Sequence, residues 1–211
     1  MRIALINGSP KVKRSASENI LTALKKLFAE SDTVLEFKLR TPTLSSRKIE
    51  EISKCNVLVF AFPLYVDEIP SHLINCLYQI ETYLKANADK DITVYALVNC
   101  GFFEGRQNST ALEMMENWCK KAGVSWGQGI GIGGGGMLSG MTNVPDGQGP
   151  MKCMWNALNV VANNIKNCTS SENIYVSPSF PRFVYKLGGN AGWRKQIQAN
   201  GLSRKDLFIK K

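Results

Sequence analysis

The first twenty residues constrain the fold more tightly than any other part of the chain. Arg2-Ile3-Ala4-Leu5-Ile6-Asn7 is an apolar run of the kind buried on both faces of a parallel sheet. From Glu18 onward, Ile20, Leu21, Leu24, Leu27 and Phe28 recur at helical spacing. Between them lies Gly8-Ser9-Pro10-Lys11-Val12-Lys13-Arg14-Ser15-Ala16-Ser17, a short loop rich in hydroxyls and cations. A helix N-terminus offers unpaired N–H groups and the positive end of its dipole. A phosphate there would gain charge-assisted bonds from the backbone, from Ser9, Ser15 and Ser17, and from Lys11. The simpler reading is that Ser17 only caps the helix; a cap needs one hydroxyl, and this loop supplies three.

Two familiar phosphate loops are excluded by their missing parts. The nucleoside triphosphatase pattern Gly-x-x-x-x-Gly-Lys-Ser/Thr is absent, and so is the Gly-x-Gly-x-x-Gly turn of dinucleotide sites. What remains suits one terminal phosphate. Asn7-Gly8-Ser9-Pro10-Lys11 followed by the Ser15-x-Ser17 helix start resembles the opening of the NADPH-dependent FMN reductase family, flavodoxin-like proteins in which this loop holds the FMN phosphate.

Composition narrows the class. With 211 residues, 44% of them apolar and 20% charged, the chain can bury one large core. No run of eighteen apolar residues occurs and no apolar signal region precedes the first strand, so neither a membrane span nor secretion is expected, and the location read from the sequence is the cytoplasm. The six cysteines lie at least fifteen residues apart, which suits reduced thiols and neither a disulfide frame nor a metal site. Some relatives of the resembled family carry an iron–sulfur cluster on a compact cysteine motif, and this sequence lacks that motif.

Strand-like runs at 2–7, 34–39, 56–62, 92–98 and 124–132 alternate with helical patterns. Leu73, Leu77, Ile80 and Leu84 share one face of a helix over 71–86, and Leu112, Met115, Cys119 and Ala122 do the same before Gly123 ends the next helix. The last covering helix is marked by Met151, Met154, Leu158, Val161 and Ile165. The expectation is an α/β fold: a flavodoxin-like, doubly wound, five-stranded parallel sheet with helices on both faces, formed by residues 1–170. Residues 171–211 are expected to be a basic C-terminal extension packed on that core. Arg182 to Lys211 holds eight Lys/Arg against one Asp and so carries +7 of the net +9, but it is interrupted by aromatic and aliphatic residues in a way that a free charged arm is not.

In such a sheet ligands bind beyond the carboxyl ends of the strands, where strand order reverses. Besides the phosphate loop, two loops belong there: Pro63-Leu64-Tyr65-Val66-Asp67-Glu68-Ile69-Pro70-Ser71-His72 after the third strand, and Asn99-Cys100-Gly101-Phe102-Phe103-Glu104-Gly105-Arg106-Gln107-Asn108 after the fourth. Prolines stiffen the first, so Leu64, Tyr65 and Val66 can form a wall with their N–H groups facing a flat ring. Gly101 allows close backbone approach in the second. "FPLYVDEIPSHL" and "NCGFFEGRQN" resemble the second and third cofactor loops of the same family, in the same order. The resemblance implies that Ser9, Lys11, Ser15 and Ser17 bind the FMN phosphate, that Pro63, Leu64, Tyr65 and Val66 line the isoalloxazine, and that Asn99, Gly101 and Phe102 complete its pocket. Lys11 stands where the family often has arginine, and a lysine lacks the bidentate fork.

The activity so implied is hydride transfer from NADPH or NADH through FMN to a small acceptor, a quinone, flavin, nitro or azo compound, or to a redox partner, by a homodimer. No protein side chain need act as acid or base, and no metal is implied. Two alternatives stay open: a one-electron carrier of flavodoxin type, which the charge of +9 disfavours, and a non-enzymatic basic module that binds nucleic acid, a partner not otherwise expected. Of the remaining polar residues, His72, the single histidine, reads as a helix-start surface residue, Cys100 as a structural thiol, and Asp67 and Glu68 as helix-terminal charge. The run Gly133-Gly134-Gly135-Gly136, with Met137 and Met141 beyond it, reads either as a mobile flap or as an irregular connection.

Overall fold

The computed structural model describes residues 1–13, 15–87, 91–138, 145 and 147–208. Two compact units divide the chain, Met1–Pro178 and Ser179–Lys211. The first unit alternates strands and helices along its length: β1 (Arg2–Asn7), α1 (Ala16–Lys25), β2 (Thr33–Lys38), α2 (Ser46–Ser53), β3 (Val57–Pro63), α3 (Ser71–Ala86), β4 (Thr93–Asn99), α4 (Ser109–Ala122), β5 (Ser125–Ile132), the single turn α5 (Gly135–Leu138), α6 (Lys152–Asn167) and β6 (Ile174–Val176). The strands pair in the order β2-β1-β3-β4-β5-β6, every pair parallel.

The expected doubly wound sheet is therefore present, with six strands and not five. The added strand β6 extends the edge beyond β5, pairing Ile130 with Ile174 and Ile132 with Val176. Its three residues are too few to establish a two-residue alternation, which is why the sequence pattern ends at β5.

Alternation along each inner strand sorts the core into two layers. Ile3, Leu5, Val57, Val59, Tyr95 and Leu97 face α1 and α6, where Ile20, Leu24, Leu158, Val161 and Ile165 meet them. Ala4, Ile6, Leu58, Phe60, Phe62 and Val94 face α2, α3 and α4, where Ile52, Leu73, Ile80, Leu112 and Met115 meet them. Buried Trp118 packs edge-on against Phe60 and donates its indole N–H to Leu77 O at 3.1 Å. Gly123 ends α4 with φ of 71°, the left-handed cap that glycine adopts without strain. At the outer edge, β2 pairs only with β1, and its Glu36 and Lys38 form ion pairs with Lys25 and Glu18 of α1.

The second unit carries α7 (Arg182–Ala199) and a 3-10 turn over Arg204–Phe208. Asn200, Gly201 and Leu202 close the helix, the Leu202 N–H returning to Ile197 O at 3.0 Å around a left-handed Gly201. Among the described residues no helix is long and apolar enough to cross a membrane.

Two expectations test this packing. Tyr95 is fully buried and shares its one hydroxyl hydrogen between Asn164 O and Thr169 O, each at 2.9 Å, pinning the end of α6 to the sheet. Tyr95→Phe should lower stability by about 1 kcal/mol in urea denaturation, since the donor that the two carbonyls share is lost. Burial pushes the Cys119 thiol up to about 12. The unfolded thiol ionises near about 8.5, so this contribution is complete below that pH and is lost as pH rises toward the folded value. Unfolding midpoints should fall between about pH 9 and about pH 11, and Cys119→Ala should make that fall shallower.

Candidate functional site

Strand β1 lies between β2 and β3, at the point where strand order reverses, and its carboxyl end opens the site. Buried Asn7 organises the loop beyond it: its Oδ1 accepts the Ser9 N–H at 2.9 Å and its Nδ2 donates to Ser15 Oγ at 3.4 Å. Ser15 is the N-cap of α1, its Oγ accepting the Glu18 N–H at 3.1 Å. The cap is thus Ser15 and not Ser17, which lies inside the first turn and accepts from Asn99 Nδ2 at 2.9 Å. Ser9 Oγ accepts the Lys11 N–H at 3.4 Å.

All three hydroxyls are buried, Ser9 and Ser15 at 2% exposure and Ser17 at 1%. Among the described residues each accepts and none donates. A buried hydroxyl that accepts a bond but donates none is a donor lacking an acceptor. Three such donors beside one helix N-terminus suit an anion. Lys11 is exposed, and its ammonium has no partner among the described residues. The first-turn carboxylate of Glu18, which would repel an anion, is paired with Lys38.

The loops after β3 and β4 start side by side, Pro63 in register with Asn99. Asn99 is 4% exposed and joins all three loops: its Nδ2 donates to Ser17 Oγ at 2.9 Å and to Phe62 O at 3.0 Å, and its carbonyl accepts the Leu64 N–H at 2.8 Å. Tyr65 and Glu68 exchange both backbone hydrogen bonds at 3.1 Å, closing a two-residue turn with Val66 at φ 50° and Asp67 at φ 63°. These contacts correct the expected wall. The N–H groups of Leu64 and Tyr65 are used within the protein, and the Leu64 side chain packs on the core facing α2–α4. The N–H groups of Val66 and Asp67 have no partner among the described residues. Tyr65 is 42% and Phe102 54% exposed, whereas Val66, at 96%, stands at the tip of the turn. A Cβ on Gly101 would meet nothing within 4 Å, so internal packing does not require that glycine.

Other readings resolve on contacts. Cys100 is buried, which pushes its thiol pKa up and leaves it a neutral structural group. The glycine run is not a flap at its start: a Cβ on Gly133 would lie 2.1 Å from Phe103 O, and the N–H groups of Gly134 and Gly135 donate to Phe102 O and Cys100 O at 2.6 and 2.7 Å. Met137 packs partly on the core facing α1 and α6, and Met141 lies outside the described residues. His72 is half-buried, with Nε2 3.1 Å from both Gly8 O and Leu39 O. Arg40, carried to the loop by parallel pairing of β2 with β1, donates Nη2–H to Val12 O at 2.9 Å. Neither side chain carries a local pattern that reveals these partners. No cluster of metal-ligating groups occurs among the described residues.

No protein-family model matches the chain, and no curated protein matches it. Solved structures do. An NADH:FMN oxidoreductase in its apo form superposes with a TM-score of 0.61 at 18% identity, over 81% of this chain and 91% of that one. The NAD(P)H:quinone oxidoreductase of Methanothermobacter marburgensis gives 0.56 at 16%, over 79% and 96%. A short-chain flavodoxin associated with a bacterial microcompartment gives 0.56 at 15%, over 81% and 100%. The rubredoxin oxygen:oxidoreductase of Desulfovibrio gigas also matches, this chain spanning only 35% of its length. The chain has a flavodoxin-like α/β fold.

The Val66 turn yields a direct test. A β-branched residue held at positive φ costs about 1–2 kcal/mol, and asparagine tolerates that region better. Because Val66 is almost fully exposed, Val66→Asn removes no packing and should stabilise the fold by about 1 kcal/mol in chemical denaturation. An unchanged midpoint would show that the turn stores no strain.

Proposed function

We propose that the protein is an FMN-dependent oxidoreductase that passes hydride from NADPH or NADH to a small acceptor such as a quinone, free flavin, or nitro or azo compound, and that it works as a homodimer. The observation that carries this reading is the set of three buried hydroxyls, Ser9, Ser15 and Ser17, with uncommitted O–H donors at the start of α1. A terminal phosphate monoester supplies the acceptors they lack, and Lys11 adds a cation at the solvent side. The neighbouring loops fit the rest of the group: Tyr65 and Phe102 expose apolar surface beside Asn99, and the Val66 and Asp67 N–H groups are donors without partners among the described residues. Two of the matched structures are named for reactions of this class.

Bound flavin supplies the two-electron chemistry itself. The chain's own part is positional and electrostatic. The serines orient the phosphate end, Asn99 holds α1, β3 and β4 at fixed spacing so that the ring site keeps its place relative to the phosphate site, and the exposed side of the loops admits nicotinamide and acceptor in turn. Because the cradle encloses a terminal phosphate, FAD, whose phosphate continues into an adenylate, should not bind comparably.

The protein should purify yellow or take up FMN from solution, and under anaerobic conditions NADPH or NADH should bleach its visible spectrum. Ser9→Ala and Ser17→Ala each remove a donor to a charged group worth about 1.5–3 kcal/mol, and should raise the FMN dissociation constant about tenfold or more. Failure to bind FMN sinks the reading; binding without bleaching by either nicotinamide moves it to the carrier class.

A further inference from the structure

We propose that His72 is a positioning residue for the anion cradle: its imidazole N–H clasps the Gly8 and Leu39 carbonyls together and so fixes where the loop of residues 8–13 leaves the sheet. Only the identity of the ligand used in the test rests on the FMN reading.

Three constraints converge on Gly8. Its N–H donates to Ala61 O of β3 at 2.8 Å. A Cβ there would lie 2.5 Å from Leu73 Cδ2 and 3.2 Å from Phe62 Cβ, so the backbone is pressed against the first turn of α3. Its carbonyl oxygen lies 3.1 Å from His72 Nε2, which is also 3.1 Å from Leu39 O. Both partners are carbonyls and can only accept, so Nε2 must carry the hydrogen, and the neutral ring is held as the Nε2–H tautomer. The Leu39 N–H donates in turn to Asn7 O at 2.9 Å. The ends of β1 and β2 and the start of α3 are thereby joined at one imidazole.

The consequence reaches the hydroxyls without direct contact. A peptide unit is planar and trans, so fixing the Gly8 carbonyl also fixes the opposite direction of the Ser9 N–H. That N–H donates to Asn7 Oδ1 at 2.9 Å, and Asn7 Nδ2 donates to Ser15 Oγ. Arg40, the residue after Leu39, restrains the loop further along through Val12 O at 2.9 Å. His72 therefore acts through Gly8, Ser9 and Asn7 on the hydroxyl that caps α1.

Because His72 is the only histidine, its ring can be observed without assignment. The test compares His72→Gln, whose amide N–H reaches the place of Nε2, with His72→Asn, which is too short, and His72→Leu, which has no donor. The asparagine and glutamine variants form the deciding pair should the leucine variant not fold. In the apo protein, amide exchange over residues 8–13 should quicken in His72→Asn and revert in His72→Gln, with α6 unchanged in both. The FMN dissociation constant should rise about tenfold in His72→Asn and return to within about threefold in His72→Gln. Nitrogen NMR of the neutral wild-type ring should show the hydrogen on Nε2. Equal exchange in the two variants, or a ring with its hydrogen on Nδ1, would overturn the proposal. If the wild type binds no FMN, the functional reading fails, while exchange and the ring spectrum still decide the role of His72.

Discussion

Strand β1 is hydrogen-bonded along both edges and packed on both faces, and this enclosure governs everything around it. A chain so buried has no polar exit until its last residue, and that residue is Asn7. Its side chain accepts the Ser9 N–H and donates to the Ser15 hydroxyl, so one amide ties the loop to the cap of α1. Asn99, at the corresponding end of β4, does the same for α1 and β3. Two buried amides thus convert the exposed end of a sheet into a fixed constellation. The serines are precise because each hydroxyl oxygen already accepts a bond from the protein, which orients it and leaves its hydrogen to be donated.

How much of the fold was legible in the sequence depends on how locally each signal is encoded. The helix over 71–86 is read from Leu73, Leu77, Ile80 and Leu84 because amphipathic spacing is a local property, and Gly123 marks the stop of α4 because a left-handed cap is local too. Strand β6 is not legible: three half-buried residues leave no period. The cradle serines can be picked out as a group, yet which of them caps the helix depends on Asn7 and Asn99, whose bonds span eight and eighty-two positions.

The loop after β3 shows the limit from the other side. Leu64, Tyr65 and Val66 look alike as an apolar run, but the register of Pro63 with Asn99 sends Leu64 inward, while the turn lifts Val66 outward. That turn has neither glycine nor asparagine at its centre, the residues by which a two-residue turn is recognised. It exists because paired strands and Pro70 fix both of its ends. His72 reads as a surface residue for the same reason: nothing in Pro70-Ser71-His72 indicates that the carbonyls of Gly8 and Leu39 come to meet it.

The outer strands also determine how copies of the molecule can meet. One edge is β6, with three residues, too short to template another strand. The other is β2, whose Glu36 and Lys38 are held in ion pairs with α1, so an incoming strand would have to compete with bound charge along its length. Growth of a continuous sheet from one molecule into the next is thus disfavoured at both edges. Edges of this kind favour contact through helical faces or through loops at the strand ends over sheet extension, and so guard a parallel sheet, slow to form, against the fibrous assemblies that open edges invite.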